Sequence, residues 1–117
     1  MFCIGCDLPQ LSERWTNACY MPLFDIKPTN AAEAEKKKAL THWCNGLTIN
    51  LLALANLYHS HKWIWLESKT CLIPLLQRTK ELVYRIKCHM PYRNEEMEKV
   101  LFAVGRFLSN LEDWIKC

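Results

Sequence analysis

The most regular apolar pattern in the chain lies between Asn94 and Lys116. Asn94 precedes two glutamates, and an N-cap followed by acidic residues in the first turn is typical of a helix start. Apolar side chains then recur at alternating intervals of four and three, at Met97, Leu101, Val104, Leu108, Leu111 and Ile115. This spacing puts them on one face of a helix. The pattern predicts an amphipathic helix over residues 94–116 that packs against other helices.

The N-terminal part of the chain predicts a helix over about residues 8–20. Asp7 supplies an acidic N-cap, and Pro9 stands in the first turn, where proline is well tolerated. An apolar stripe follows at Leu8, Leu11, Trp15 and Ala18. Pro22 is expected to end this helix, because the residue before a proline is disfavoured in helical conformation. Residues 20–28 are therefore interpreted as a connecting loop that packs through Leu23, Phe24 and Ile26.

The middle of the chain predicts helices over about 30–45 and 46–60. Asn30 and Glu33 have the spacing of a capping box. The pair Asn45-Gly46 interrupts the helical pattern, although apolar positions continue across it into Leu47–Tyr58. A kink and a break at this point both stay open. The segment Leu47–Tyr58 is apolar on nearly all sides, which is typical of a helix surrounded by others.

A further helix is predicted over about 71–89, with Pro91 as its stop and an apolar stripe at Leu75, Thr79, Leu82, Ile86 and Met90. The pattern as a whole predicts an all-α fold, a compact bundle of four to five helices. Residues 1–117 are expected to form a single domain, in which residues 1–7 are a flexible or a metal- or lipid-linked segment. The 117 residues are 50% hydrophobic and include only three glycines, which fits helices better than a turn-rich β fold.

The net charge of +3 is small, but its distribution is uneven. Residues 78–93 are mostly basic and residues 94–117 mostly acidic, so the two segments are expected to attract each other. A nucleic-acid surface is the alternative for the basic segment, but no nucleic-acid-binding motif accompanies it. We expect a solvated helix face and no nucleic-acid partner.

Seven cysteines cannot all pair within one chain. Cys3 and Cys6 have the spacing of a zinc-ligand pair, and zinc is the one cofactor that the sequence suggests. The alternatives are ordinary thiols or palmitoylation of the same two residues, the only route by which membrane contact is expected. The longest apolar stretch, residues 47–58, is too short to span a bilayer.

Two of the five tryptophans, Trp63 and Trp65, fall in a predicted connector beside His61 and Lys62. Tryptophan is enriched at binding hot spots, so these four residues are the predicted partner-binding patch. The alternative is that both indoles fold inward and close the bundle.

No catalytic motif is recognisable, and a non-enzymatic protein is expected. The sequence predicts an intracellular regulator, adaptor, accessory subunit or host-interaction factor that acts through protein contacts. The first alternative is a secreted, disulfide-bonded signalling protein. The run Cys6-Asp-Leu-Pro-Gln10 resembles the start of mature type I interferons, and that resemblance implies a helical cytokine. The second alternative is a zinc-stabilised binding module.

Overall fold

The structure of the chain is a computed structural model that describes residues 8–60, 72–91 and 93–116. Within these ranges the chain forms four helices and no strand. They are α1 (Leu8–Asp25), α2 (Ala31–Ser60), α3 (Ile73–His89) and α4 (Glu95–Lys116). The predicted all-α bundle is confirmed, with four helices in the described part of the chain.

Helix α1 begins where the sequence predicts but continues past Pro22 to Asp25. The expectation that Pro22 ends the helix is therefore wrong. A proline inside a helix loses one backbone hydrogen bond and crowds the preceding turn. Here Pro22 is itself buried, and Leu23 and Ile26 pack against the core, so burial of this last turn offsets the cost. The loop predicted over 20–28 shrinks to residues 26–30.

Helix α2 runs unbroken through Asn45-Gly46, so the two helices predicted over 30–45 and 46–60 are one. Gly46 has an ordinary helical backbone without a positive φ. A Cβ built at Gly46 would lie 3.3 Å from Cδ1 of Leu82 on α3. The missing side chain thus lets α3 approach α2, and the glycine acts as a packing residue.

Both predicted asparagine caps are present. The Asn30 side chain accepts a hydrogen bond from the Glu33 amide at 2.9 Å, and the Asn94 side chain accepts one from the Met97 amide at 2.7 Å. The Glu33 carboxylate reaches back to the amide and hydroxyl of Thr29. These hydrogen bonds lower the pKa of Glu33 and fix the start of α2.

The four helices pack in a ring in which α1 contacts α2 and α4, and α3 contacts the same two helices. Short connections make α1 antiparallel to α2 and α3 antiparallel to α4. Along α2, Trp43 meets His89 while the later Gly46 meets the earlier Leu82, so α2 and α3 are also antiparallel. The topology is up-down-up-down.

One continuous core fills the bundle. Five of the six apolar positions predicted for the last helix are fully buried, at Met97, Leu101, Val104, Leu108 and Leu111. The expected attraction between basic and acidic segments is present as ion pairs of Lys80 with Glu112 and of Arg93 with Glu98. Part of the opposite charge on the two segments is therefore paired within the fold.

Candidate functional site

All the site residues predicted from the sequence lie outside the described residues. They are the partner-binding patch of His61, Lys62, Trp63 and Trp65, and the metal-ligand pair Cys3 and Cys6. Both assignments stay predictions. Within residues 8–60, 72–91 and 93–116, no cluster of three or more histidine, cysteine, aspartate or glutamate side chains could hold a metal ion.

The described surface offers a groove between α1 and α2, with an aromatic wall on α1. Tyr20 and Phe24 stand one helical turn apart with their rings stacked, at a centroid distance of 6.3 Å and an interplanar angle of 16°. Despite their size they are 66% and 62% exposed. Two rings fixed side by side in water form an apolar ledge that loses little entropy when a partner covers it.

The groove beside this ledge has a volume of about 320 Å³. Its base is lined by Leu23 and Cys19, and its α2 wall by Thr41, Asn45 and Thr48. Apolar surface with a few hydroxyl and amide groups is the usual lining of a binding cleft. The groove therefore combines a hydrophobic wall with hydrogen-bonding groups on the facing helix.

The α2 side of the groove is basic. Lys37 is the one charged side chain among the described residues that line it, and an adjoining surface on α2 carries Lys38 and His42. Around the start of α2, Lys27 and Lys36 line a further cleft together with Lys37 and the carboxylate of Glu33. Lysines outnumber carboxylates among the residues that line these three surfaces, and this excess favours an acidic ligand or partner.

Under the groove, α1 and α2 are held together by a polar cluster that runs from the buried Trp15 to the exposed Thr16. The indole of the fully buried Trp15 donates a 3.0 Å hydrogen bond to the carbonyl oxygen of Cys44, and the Thr48 hydroxyl donates to the same oxygen at 3.3 Å. The Thr48 hydroxyl also lies 3.3 Å from the Thr16 hydroxyl. These contacts fix the spacing of the two helices that form the groove.

The thiols of Cys19 and Cys44 belong to the same cluster. Cys44 donates a hydrogen bond to Cys19, and this bond lowers the pKa of Cys19 below its ordinary value. The same bond, together with burial, raises the pKa of Cys44. Cys19 also contacts the carbonyl of Thr16 at 3.5 Å. The two thiols therefore differ in acidity, with Cys19 the more acidic.

The opposite side of the bundle carries two other exposed aromatic residues, Tyr84 on α3 and Phe102 on α4, at 64% and 65% exposure. Phe102 lies with Lys87 and Arg106 around a shallow depression at Gly105. A hydrogen bond to Cys88 raises the pKa of Tyr84. Phe102 and Tyr84 match Tyr20 and Phe24 in exposure, but they stand on separate helices.

The sequence does not predict the α1–α2 groove, because Pro22 puts Tyr20 and Phe24 in a predicted loop and Phe24 is expected to pack inward. That expectation is wrong, since Phe24 is exposed. The spacing of Thr16, Tyr20 and Phe24 at intervals of four was a usable signal, since it predicts one helix face. Pro22 obscured it by suggesting that the helix had ended.

None of the helices within the described ranges is long and apolar enough to cross a membrane. Neither a protein-family model, nor a curated protein, nor a solved structure matches this chain.

Proposed function

We propose that the chain is a non-enzymatic contact protein, a regulator, adaptor or accessory subunit that binds a partner in the α1–α2 groove. The observation that carries this proposal is the stacked pair of Tyr20 and Phe24, held exposed on one turn of a packed helix beside the groove. Tyrosine and other large side chains in such positions dominate binding energy at protein interfaces.

The partner is an amphipathic helix with acidic residues beside its apolar stripe. A groove between two antiparallel helices accepts a third helix, whose apolar positions at i, i+3 or i+4 and i+7 can cover the aromatic wall. The acidic residues would meet Lys37 and Lys38 on the α2 side. Thr41, Asn45 and Thr48 supply hydrogen-bonding groups between these two features.

The topology favours this proposal over a cytokine-like signalling protein. Helical cytokine bundles run up-up-down-down and need long crossover connections. Here α1 to α2 and α3 to α4 are joined by short connections, and α2 is antiparallel to α3. The secreted alternative therefore draws no support from the helix order.

A peptide-binding assay tests the proposal. Fluorescent helical peptides share one apolar stripe and carry either acidic or basic polar faces, and their binding to the full chain is measured by polarisation. We expect the acidic set to bind and the basic set not to. Replacing both groove aromatics, Tyr20→Ala with Phe24→Ala, should weaken binding at least about tenfold, since a hot-spot residue contributes on the order of 1–2 kcal/mol or more.

The matched control is Tyr84→Ala with Phe102→Ala, which removes two equally exposed aromatic residues from the other side of the bundle. The control should bind as the unmodified chain does, and both variants should keep its helical circular dichroism. Equal losses in the two variants, or no binding by any acidic peptide, would exclude the groove. Sedimentation that shows a dimer dependent on Tyr20 and Phe24 would replace the partner helix with a second copy of the chain.

The patch predicted at Trp63 and Trp65 is tested in the same assay with Trp63→Ala and Trp65→Ala. If only this pair of substitutions abolishes binding while helicity and cooperative unfolding are kept, the connector and not the groove is the contact surface.

A further inference from the structure

Cys19 and Cys44 occupy facing positions on α1 and α2, and both are buried in the core. Their helices pack directly against each other there, since the Thr16 and Thr48 hydroxyls lie 3.3 Å apart and the Trp15 indole donates a hydrogen bond to the Cys44 carbonyl oxygen. A disulfide forms only between cysteines whose backbones lie close and whose Cβ atoms face each other. The contacts of Trp15 with Cys44 and of Thr16 with Thr48 set the register of the two antiparallel helices. In this register Cys19, one turn after Thr16, lies opposite Cys44, one turn before Thr48.

The two thiols differ in their access to solvent. Cys19 lines the base of the α1–α2 groove and is 6% exposed, whereas Cys44 lies behind it with no exposed surface. A reagent in the groove can therefore meet the sulfur of Cys19 but not that of Cys44. This arrangement separates an attacking thiol from a resolving thiol.

We propose that Cys19 and Cys44 are a redox-active pair that closes to a disulfide between α1 and α2 on reaction with a small disulfide such as oxidised glutathione. The inference goes beyond the proposed function, because it needs no partner in the groove.

The reaction proceeds by two thiol–disulfide exchanges. Cys19 loses its proton to solvent, and its thiolate attacks one sulfur of oxidised glutathione, which releases one glutathione thiolate and leaves a mixed disulfide. The Cys44 sulfur then attacks the Cys19 sulfur as its proton passes to the departing glutathione thiolate, which leaves as the second reduced glutathione. The protein loses two hydrogens and two electrons, and one oxidised glutathione becomes two reduced molecules.

The acidities of the two thiols agree with this order. The hydrogen bond from Cys44 keeps the pKa of Cys19 low, which increases the thiolate fraction at the sulfur that the groove exposes. Cys44, whose pKa is raised, stays protonated until the mixed disulfide has formed beside it. High local concentration then drives the second exchange.

Peptide mapping tests the proposal on the native full chain. The protein is incubated with oxidised glutathione, free thiols are alkylated, and the chain is digested with trypsin without reduction. Trypsin cleaves at Lys36 and Lys38, between the two cysteines, so a disulfide would keep their peptides joined. We expect this joined pair as the main product. Its formation should also raise the melting temperature by roughly 5–10 °C, because the cross-link restricts the unfolded chain.

Two variants make the result decisive. In Cys44→Ala the resolving thiol is absent, so Cys19 should accumulate as its glutathione mixed disulfide, and the melting temperature should not rise. Cys88→Ser removes an exposed cysteine on α3 and should leave the joined peptides unchanged. The proposal is overturned if Cys19 in the unmodified chain stays alkylatable or stops at the mixed disulfide, or if Cys19 or Cys44 joins a different cysteine. Loss of peptide binding by the groove variants does not bear on any of these outcomes.

Discussion

At the scale of single residues, the two helical glycines Gly46 and Gly105 show that the same residue type can have different roles in different surroundings. Gly105 has open space where a Cβ would stand, whereas at Gly46 a Cβ would meet Leu82. Alanine is favoured over glycine within a helix by about 0.5–1 kcal/mol. We expect Gly105→Ala to raise the free energy of unfolding by about that amount, as measured by urea denaturation followed by circular dichroism.

Gly46→Ala is the matched comparison, because it makes the same change on another helix. We expect it to gain less than Gly105→Ala or to destabilise the chain, since the new Cβ would lie 3.3 Å from Cδ1 of Leu82, closer than an ordinary van der Waals contact. Combining Gly46→Ala with Leu82→Ala should restore part of the helix-propensity gain. Equal gains at both glycines would show that Gly46 has no role in the approach of α3 to α2.

The candidate site was hidden from sequence reasoning at this same scale. Whether Tyr20 and Phe24 lie inside or outside depends on whether the helix continues through Pro22, and no local rule settles that question. The thiol pair was hidden for another reason. The sequence shows both cysteines, but their contact depends on how α1 packs against α2. The spacing of residues along one helix carries no information about which helix packs beside it.

At the scale of elements, the four helix starts lie within two residues of the predicted positions, and three of the four ends, at Ser60, His89 and Lys116, match the prediction. The errors lie at Pro22 and Gly46. Asn30 and Asn94 cap α2 and α4 as expected, because a cap is a local hydrogen bond between a side chain and an amide three residues later. Pro22 and Gly46 carry local signals against helix that tertiary packing outweighs. The burial of Pro22 and the contact of Gly46 with Leu82 supply that packing.

The cap of α4 gives a prediction at this scale. Asn94→Ala removes the side-chain acceptor of the Met97 amide, and we expect a loss of about 1 kcal/mol in the free energy of unfolding. Asn110→Ala is the control, since Asn110 is exposed within the same helix and alanine is the better helix former there. Urea denaturation should give opposite signs for the two changes. If both variants lose a similar free energy of unfolding, the Asn94 side chain contributes no more as a cap than an asparagine elsewhere in the helix does.

For the whole molecule, the fold class and most of the core could be read from the apolar periodicity, since each stripe must be buried against something. The order of the helices around the ring could not, because it is fixed by contacts between helices such as Trp15 with Cys44 and Gly46 with Leu82. Charge was an intermediate case. The imbalance between α3 and α4 correctly indicated attraction, and the ion pairs of Lys80 with Glu112 and of Arg93 with Glu98 are its result.

A single continuous core implies that the bundle unfolds as one unit, and two neighbouring leucines on α2 test this. Leu51 has no exposed surface, whereas Leu52 is 45% exposed. Leu51→Ala should lower the free energy of unfolding by about 2–5 kcal/mol, and Leu52→Ala by less than about 1 kcal/mol. In both variants the urea transitions followed by circular dichroism and by tryptophan fluorescence should coincide. Separate transitions in Leu51→Ala would mean that α1 and α2 lose their packing while α3 and α4 stay folded. The bundle would then not be a single cooperative unit.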